Sequence, residues 1–556
     1  MNRSLRIGIV LASALAILSP LLLVVWQSFL DGPFFARNVH PTLGAYQFVF
    51  EDPDFYRALG TSVVVAVGMT LIAVPVGALL AFLLVRTDLP GRRWMEPLIL
   101  TPMFISSIVL AFGFVVAFGP VGIISLWVKG WLGSLPWDVY SLPSLIIIAG
   151  LTHAPHVFLY AATALRSLGS DVEEAARSIG AGPLRVAATV SLPMIRPALL
   201  YAGVLVFFLG FELFGLPLVL ADPKGVLVLA TYLYKLTNVL GIPSYQLMAV
   251  VVMVIVFIAV PLVWLQNRLL KSANRYVSIK GKAQSARPIA LGPWRWPAAA
   301  FIALWLLTVV VAPVCALVLR AFLSSWGEGV VLADALTLDH FRELTHYPNL
   351  MRGITNTLVL AAVGGAASVV VYTLINLAVH RWQSAWARVI DYLVLLPRAM
   401  PGIVAGLAIF WVFLFFPPLQ PLRQTLLAMW VAYTLVWMAY GMRLVSGSLL
   451  QIGPELEEAG RVVGASPGRV SLDVTLPLIR AGLLGSWLLV FVTFVREYST
   501  GVYLLGPGTE VIGSLLVSLW ATGAVDTVVA LSVINIAMVG AGLLLITLFG
   551  RKAHHG

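Results

Sequence analysis

Charged residues and cysteine are both scarce in this sequence. Only 11% of the 556 residues are Asp, Glu, Lys or Arg, against about 25% in soluble proteins, which argues against a water-soluble enzyme. The single cysteine, Cys315, excludes a disulfide framework and a metal cluster held by cysteines. The sequence also lacks the phosphate-binding pattern Gly-x-x-x-x-Gly-Lys-Ser/Thr, so we expect no ATP binding by that route.

Hydrophobic residues are in excess: they make up 60% of the chain, and the mean hydropathy is +0.97. A helix that crosses a bilayer needs about 20 apolar residues. Twelve stretches qualify, which predicts an all-α polytopic membrane protein whose first span is a retained anchor. The predicted spans are Ile7–Phe29, Thr61–Val85, Leu98–Phe118, Leu142–Leu165, Leu199–Leu220, Gln246–Gln266, Pro297–Val318, Thr355–Val379, Tyr392–Phe415, Thr425–Met442, Leu483–Leu505 and Thr527–Phe549.

The loop charges predict the orientation of these spans. If the N-terminus is cytoplasmic, the cytoplasmic segments hold 24 of the 35 Lys and Arg residues, and the outer segments hold 9. This asymmetry has the sense that the positive-inside rule requires. We therefore expect both termini in the cytoplasm, and we attribute the net charge of +11 to topology rather than to nucleic-acid binding.

The chain divides into two similar halves. We predict a first half of six spans at 1–266, a basic cytoplasmic linker at 267–296 and a second half of six spans at 297–556. Residues 171–200 and 455–484 align without gaps at an offset of 284, with 16 identities in 30 positions. Earlier in the chain the offset is 295, which matches Arg86 with Arg381. Both copies run in the same direction across the membrane, a parallel repeat that can enclose a path.

The most similar part of the two halves is a polar loop between the fourth and fifth spans. In the first copy, Glu173 and Glu174 begin a short helix, where carboxylates suit the positive end of the helix dipole. Gly180 is placed to end that helix, and Pro183 can open the next one, which Pro193 interrupts near Leu192. The pattern predicts a helix–turn–helix on the cytoplasmic side. A simple connector between two spans is the alternative.

This loop resembles the signature of permeases of binding-protein-dependent ABC importers, with Glu-Ala-Ala, a glycine after three further residues, and Leu-Pro. The resemblance covers essentially the whole chain and implies the type I importer fold. It also implies that each loop is a coupling helix docked on a cytoplasmic ATPase subunit. Gly460 departs from the pattern, and we expect it to loosen its helix by about 1 kcal/mol. The implied coupling residues are Glu174, Ala175, Ala176, Gly180, Leu192, Pro193, Glu458, Ala459, Gly460, Gly464, Leu476 and Pro477.

Ionisable residues in the fifth span of each half are candidates for the transport path. Glu212 and Glu497 match at an offset of 285, and charges within a membrane are functional candidates. The Arg496-Glu497-Tyr498 run resembles the basic residue followed by glutamate of the ferric-iron permeases. Arg496 can pair with Glu212 as a gate. A structural ion pair or a loop contact is the alternative role.

Two weaker candidates lie elsewhere. Arg398 either faces the path or reaches the cytoplasmic surface. His153 and His156 share a helix face and form a possible metal pair, although packing with hydrogen bonds is the favoured interpretation. We predict no metal site and no catalytic residue.

The resemblance implies an importer driven by two cytoplasmic ATPase subunits and supplied by a periplasmic binding protein. ATP and Mg²⁺ would bind to the ATPase, and no cofactor is expected on this chain. Ferric iron is the first expectation for the substrate, with thiamine, phosphonate and polyamine as alternatives. An ion-coupled secondary transporter is the rival from another class. The expected location is a bacterial inner membrane.

Overall fold

The computed structural model describes residues 3–167, 171–238, 244–276, 288–382, 384–394, 396–397 and 400–553. These residues are mainly α-helical, and extended segments pair only in three isolated bridges. The helices of the N-terminal part are α1 (Arg3–Ser28), α2 (Gly44–Glu51), α3 (Pro53–Arg86), α4 (Arg92–Leu100), α5 (Ser107–Phe118), α6 (Ile123–Leu132), α7 (Leu142–Ser167), α8 (Asp171–Ser178), α9 (Pro183–Val186), α10 (Leu192–Met194), α11 (Arg196–Glu212), α12 (Gly215–Leu220), α13 (Leu229–Asn238) and α14 (Tyr245–Tyr276).

The helices of the C-terminal part begin after the linker, whose run Gly281–Ser285 lies outside the described residues. They are α15 (Arg295–Leu306), α16 (Ala312–Ala321), α17 (Asp339–His346), α18 (Pro348–Val359), α19 (Gly365–Val379), α20 (Ala385–Leu393), α21 (Gly402–Phe415), α22 (Leu426–Val436), α23 (Met438–Leu449), α24 (Pro454–Val462), α25 (Pro467–Val470), α26 (Leu476–Val495), α27 (Ile512–Ala521) and α28 (Val525–Ala553).

Apolar helices occur at every predicted span. In the described part of the chain, nine helical stretches are long and apolar enough to cross a membrane, and the bent pair at Ala187–Met194 and Arg196–Glu212 makes a tenth. The remaining two predicted spans correspond to the shorter apolar helices α21 and α22. The prediction of an all-α polytopic protein is therefore confirmed.

Several span boundaries differ from the predicted ones. The predicted span Leu483–Leu505 ends as a helix at Val495, and Leu199–Leu220 breaks after Glu212. The chain turns after Val495 because the carboxylate of Glu497 accepts hydrogen bonds from the backbone amides of Ser499 and Thr500. Helix α27 lies outside all the predicted spans.

The helices pack into two compact units, and the first helix of each sequence half packs in the unit that holds most of the other half. One unit comprises Met1–Val49, Leu236–Val256 and Asp339–Gly556, and the other comprises Phe50–Lys235 and Phe257–Leu338. Helix α1 thus packs on helices of the second half, including α19 and α21, and α16 packs on α5 of the first half. The division at residues 267–296 remains a prediction about the sequence repeat, because spatial contacts group the helices differently.

In the unit that holds most of the first half, α3 and α7 pack through glycine. A Cβ atom on Gly77 would lie 2.5 Å from the carbonyl oxygen of Ala154 and 2.6 Å from Cβ of Val157. A Cβ atom on Gly150 would lie 2.6 Å from Cβ of Ile72. Small residues let two backbones approach closely, which is how helices associate in a membrane without a hydrophobic driving force between them.

In the other unit, the matching helices α19 and α22–α23 are joined by polar side chains. The hydroxyl groups of Ser368 and Thr434 lie 2.7 Å apart, and the Tyr372 hydroxyl donates to the carbonyl of Thr434 at 2.8 Å. At the offsets of the repeat, Tyr372 corresponds to Gly77 and Gly441 to Val157. The glycine is therefore on the second span in the first half and on the fourth span in the second half. In the second half it makes room for the Tyr372 ring, from which a Cβ atom on Gly441 would lie only 2.1 Å.

Candidate functional site

Both copies of the polar loop form the predicted helix–turn–helix. In the first copy, α8 is followed by Gly180, whose φ of +87° is the left-handed conformation that favours glycine. In the second copy, α24 is followed by Gly464 with a φ of +85°. Each loop then continues through a short helix (α9 or α25) and a π-helical turn, Ala187–Ser191 or Ser471–Thr475. The loop therefore keeps the same local structure in both halves.

The first glutamate of each loop points inward and holds the loop to the end of the second span. In the first copy, Glu173 is 5% exposed. Its Oε1 accepts a 2.7 Å hydrogen bond from the Ser191 hydroxyl and lies 3.3 Å from Nε of Arg86, the last residue of α3. Arg86 itself is 4% exposed. A buried ion pair of this kind fixes the position of the loop relative to α3.

In the second copy, Glu457 makes the corresponding contact with more partners. Its Oε2 lies 3.0 Å from Nη1 of Arg381, and its Oε1 lies 3.1 Å from Nε2 of His380. The Thr475 hydroxyl, which corresponds to Ser191, donates to Oε1 at 3.2 Å. The sequence pattern predicts an interaction of these first glutamates with the helix dipole and gives no indication of the ion pairs. The match between Arg86 and Arg381 was the available signal.

The second glutamate of each loop faces outward, beside exposed apolar residues. Glu174 and Glu458 are exposed, as are Ala175 and Ala459. At the turns, Ile179 is 86% exposed and Val463, its counterpart, is 83% exposed. Each loop thus has a buried glutamate on its inner face, and an exposed glutamate and an exposed apolar side chain on its outer face.

The third position of the motif differs between the copies and lies inside the loop. Ala176 packs at the edge of a buried cluster in its own unit. Gly460 is half-buried, and a Cβ atom there would lie 3.2 Å from Cγ2 of Val470. A methyl group at position 460 would therefore be in tight contact with the second helix of its loop.

The Leu-Pro pair also behaves differently in the two copies. Leu192 and Leu476 are half-buried, and Pro193 and Pro477 are exposed near the start of a helix. The first copy bends by 66° after Met194, whereas α26 runs on without a break. The prediction from Pro193 is an interruption near Leu192. The bend follows Met194 instead, because Pro197 cannot donate a backbone hydrogen bond to the preceding turn, and Ala481 takes its place in the second copy.

Glu497, a candidate for the transport path, lies in the turn after α26 and is 6% exposed. Its Oε1 accepts four hydrogen bonds of 2.9–3.0 Å from the backbone and hydroxyl groups of Ser499 and Thr500. Its Oε2 accepts a 2.9 Å bond from Nε1 of Trp437. These donors satisfy both oxygen atoms, so the arrangement favours a structural role for the carboxylate in shaping the turn.

Arg496 and Tyr498 flank that carboxylate and are both half-buried. Cζ of Arg496 lies 5.4 Å from the centroid of the Trp437 ring, which is within cation–π distance. Trp437 therefore contacts both charged neighbours, and the sequence analysis did not single it out as a site residue. The kink that it forms between α22 and α23 gave no local sequence signal.

Glu212 ends α11 and is half-buried. It belongs to the other compact unit, and its pairing with Arg496 stays a prediction. The His153 and His156 rings are stacked at 5.4 Å, and His153 Nδ1 lies 2.8 Å from the Ala149 carbonyl. In the described part of the chain, no group of three or more His, Cys, Asp or Glu residues is arranged to hold a metal ion. Arg398 lies outside the described residues.

The model of one protein family matches this chain twice, at residues 73–275 and 377–553. The family is the binding-protein-dependent transport system inner membrane component, and the two matches cover more than half of the chain. The chain belongs to this family. Each match contains one copy of the polar loop, which confirms the resemblance drawn from the Glu-Ala-Ala pattern and the fold of two repeats.

Several relatives are transport permeases. The probable ABC transporter permease protein y4fN of Sinorhizobium fredii is 23% identical over 514 residues, 90% of this chain and 88% of its own length. The putative ferric transport system permease protein FbpB 1 of Haemophilus influenzae is 24% identical over 77% of this chain and 66% of its own length. The putrescine transport system permease protein PotI of Escherichia coli is 25% identical over 46% of this chain and 89% of its own length.

Among solved structures, the MetNI methionine ABC transporter matches 36% of this chain and 95% of its own chain, at 25% identity and a TM-score of 0.30. The two family matches and the apolar helices of the described residues, not this structural likeness, show that the chain is a multi-pass permease of a binding-protein-dependent transport system. Its membership of this family implies an inner-membrane location and partners that bind substrate and hydrolyse ATP.

Proposed function

We propose that this chain forms the translocation path of an ATP-driven importer and hydrolyses no ATP itself. Two separate ATPase subunits would supply the energy from the cytoplasm, and a binding protein would deliver the solute from the periplasm. The observation that carries the proposal is the duplicated loop, anchored within its own unit by Glu173 or Glu457 and open to a partner beside Glu174 or Glu458.

The two loops would act as handles for the ATPase subunits. A partner that binds the exposed side of α8 or α24 would apply force to that helix. The opposite side of the helix is connected to the second span of its half by the ion pair of Glu173 or Glu457. Because each ion pair is made by a buried carboxylate, Glu173 or Glu457, the loop and the span would move together rather than slide past each other. Movement of both loops towards each other would then switch the path between inward-facing and outward-facing states.

The experiment that tests this coupling is the double variant Glu174→Lys/Glu458→Lys. Both residues are exposed, so the variant should insert and fold, while reversed charge at both handles should abolish transport and uncouple ATP hydrolysis from it. A matched control is Glu455→Lys, an exposed glutamate of the same helix α24 outside the Glu-Ala motif, which should keep transport within about twofold of the parent. Normal uptake by the double variant would refute the coupling role.

Co-purification separates this function from an ion-coupled transporter. The chain isolated in mild detergent from its own cells should bring down a soluble ATPase, and uptake in vesicles should need ATP rather than a proton gradient. Uptake driven by a proton gradient in vesicles that contain this chain alone would overturn the proposal.

We propose ferric iron as the substrate. Two observations support this choice: the resemblance of the Arg496-Glu497-Tyr498 run to the basic residue followed by glutamate of ferric-iron permeases, and a putative ferric transport permease that matches 77% of this chain. A polyamine is the second candidate, supported by the putrescine permease relative. Uptake of radioactive ferric iron, putrescine, thiamine and a phosphonate, each offered with the cognate binding protein, distinguishes the candidates. Iron uptake that depends on this chain is the expected result, and uptake of putrescine alone would replace iron by a polyamine.

We also propose that both termini face the cytoplasm. Residues Ile179 and Val463 would then lie on the cytoplasmic side as well, where an ATPase can reach them. Cysteine variants at these exposed positions in a Cys315→Ser background should react with an impermeant maleimide only in inside-out vesicles. Reaction in right-side-out vesicles would contradict the orientation.

A further inference from the structure

An open pocket of about 480 Å³ lies in the second half where α19 ends and α20 begins. Arg381 and Arg388 line it, together with Ser384, whose hydroxyl accepts a hydrogen bond from the amide of Trp386 and caps α20. The first amide groups of a helix have no partner within the helix and attract anions. The pocket therefore combines the N-terminal end of a nine-residue helix with two guanidinium groups.

A third arginine adds to the positive charge around this pocket. Cζ of Arg6, in α1, lies 5.8 Å from the ring centroid of Trp382, which also lines the pocket. Among the side chains that the structure describes, Glu457 is the carboxylate that pairs with these arginines, and its charge is shared between Arg381 and His380. The balance around the pocket is thus cationic and suits an anion.

The matching place in the first half is closed by the chain itself. Ile289, near the end of the linker, donates a 2.7 Å backbone hydrogen bond to the carbonyl of Arg86 and bridges Thr87. Ile289 is 3% exposed. In the second half, the backbone turns sharply instead, with a φ of +52° at Arg381. The repeat therefore has one covered copy and one open copy of the same site.

The open copy lies at the ends of two apolar helices, since α1 begins at Arg3 and α19 ends at Val379. Helix α20 also exposes aromatic side chains: Trp386 is 39% exposed and Tyr392 is 65% exposed. Tryptophan and tyrosine favour the headgroup level of a bilayer, and basic pockets at the ends of spans on the cytoplasmic side suit anionic lipid headgroups.

We propose that this pocket binds the phosphodiester headgroup of an anionic phospholipid, held by Arg388 and the start of α20, with Arg6 and Arg381 beside it. The acyl chains would lie beside α20, near the exposed ring of Trp386. Since Arg381 also holds Glu457, a lipid in this pocket would stabilise the anchor of the second loop and leave the first loop unaffected. The site does not depend on the identity of the transported solute.

Native mass spectrometry of the full-length chain from nanodiscs tests this proposal. The nanodiscs would contain phosphatidylglycerol and phosphatidylcholine in equal amounts, and the ratio of the two lipids retained would be measured. Loss of one arginine near a membrane surface weakens anionic lipid binding about fivefold, so Arg388→Gln should lower the retained ratio by about that factor. Arg6→Gln should lower it too. The matched control is Arg480→Gln, an exposed arginine of α26 outside the pocket, which should leave the ratio unchanged.

Competition with inorganic phosphate identifies the source of the anion. A headgroup site should keep its phosphatidylglycerol in the presence of about a tenfold excess of inorganic phosphate over lipid. Displacement of the lipid by phosphate would overturn the lipid proposal in favour of a free phosphate site. Equal lipid ratios for Arg388→Gln, Arg6→Gln and the parent chain would show that the pocket binds neither.

Discussion

The two copies of the coupling loop have the same backbone conformation and differ in the ion pairs that anchor them and in the helix that follows. The first copy has a fully buried arginine, Arg86, on Glu173 and is followed by a bend of 66°. In the second copy, Glu457 is shared between Arg381, whose side chain is 32% exposed, and His380, and the helix that follows is unbroken. The two copies have thus kept the same loop structure but differ in the side chains that anchor the loop. We infer that the two halves respond to equal force in different ways.

The largest expected effect comes from removing the arginine in each copy. Among the described side chains, Arg86→Ala leaves Glu173 buried with the Ser191 hydroxyl as its partner, and breaking a buried ion pair in this way costs about 3–5 kcal/mol. Arg381→Ala should cost about 1 kcal/mol or less, because that arginine is partly solvated and Glu457 keeps two other partners. Thermal unfolding of the two variants in detergent measures the difference. Equal destabilisation would show that the two ion pairs anchor their loops equally.

The next largest effect is expected from a proline placed in α26, at the position that matches Pro197 after the bend of the first copy. Ala481→Pro places a proline within the unbroken α26 and should cost about 3 kcal/mol. The reverse change, Pro197→Ala, restores a backbone donor at the existing break and should alter stability by less than about 1 kcal/mol. Unfolding midpoints of the pair, with spin-label distances across residues 195 and 479, test both the cost and the geometry. A neutral Ala481→Pro would mean that α26 is already broken in solution.

The packing of the second and fourth spans gives a smaller contrast. Gly77→Ala puts a methyl group against the fixed carbonyl of Ala154, and overpacking typically costs about 1–3 kcal/mol. Tyr372→Phe in the other half removes one hydrogen bond to Thr434, which in a membrane averages about 0.6 kcal/mol. Urea or detergent titration of the two variants compares them. A larger loss for Tyr372→Phe would mean that the polar network, rather than close backbone approach, dominates.

The smallest effect is expected at the third motif position. Ala176→Gly should destabilise its helix by about 1 kcal/mol. Gly460→Ala gains that helix propensity but must displace Cγ2 of Val470 by a few tenths of an ångström, so its net effect should stay within about 1 kcal/mol. Protease protection of the two loops measures these changes. Strong destabilisation by Gly460→Ala would show that Val470 cannot move.

The local structure of the loops was predictable from sequence because it depends on neighbouring residues. Gly180 and Gly464 supply the left-handed turns, and the apolar stretches mark the helices. The ion pairs were not predictable in this way, since Arg86 and Glu173 are far apart in sequence and meet only through the packing of α3. The exchange of first helices between the units also depends on long-range contacts that leave no periodic signal.

The candidate path residues show the same limit. The sequence indicates that Glu497 is an ionisable residue in an apolar setting, which is correct, but it cannot show that Ser499, Thr500 and Trp437 donate to both oxygen atoms. The turn that results depends on close packing: a Cβ atom on Gly513 would lie 2.1 Å from the carbonyl oxygen of Glu497. The charge of Glu497 therefore indicates an important residue, but its role in shaping the turn follows only from the structure.

The central claim is that a separate ATPase grips the outer faces of both loops, and cysteine protection tests it most directly. Ile179→Cys and Val463→Cys, each in a Cys315→Ser chain, would be labelled with maleimide in the free permease and in the complex with its ATPase. Leu338→Cys, at an exposed residue of the other predicted membrane side, is the control. The ATPase should protect both loop positions and leave the control position reactive. Full labelling of both loop positions in the assembled complex would contradict it.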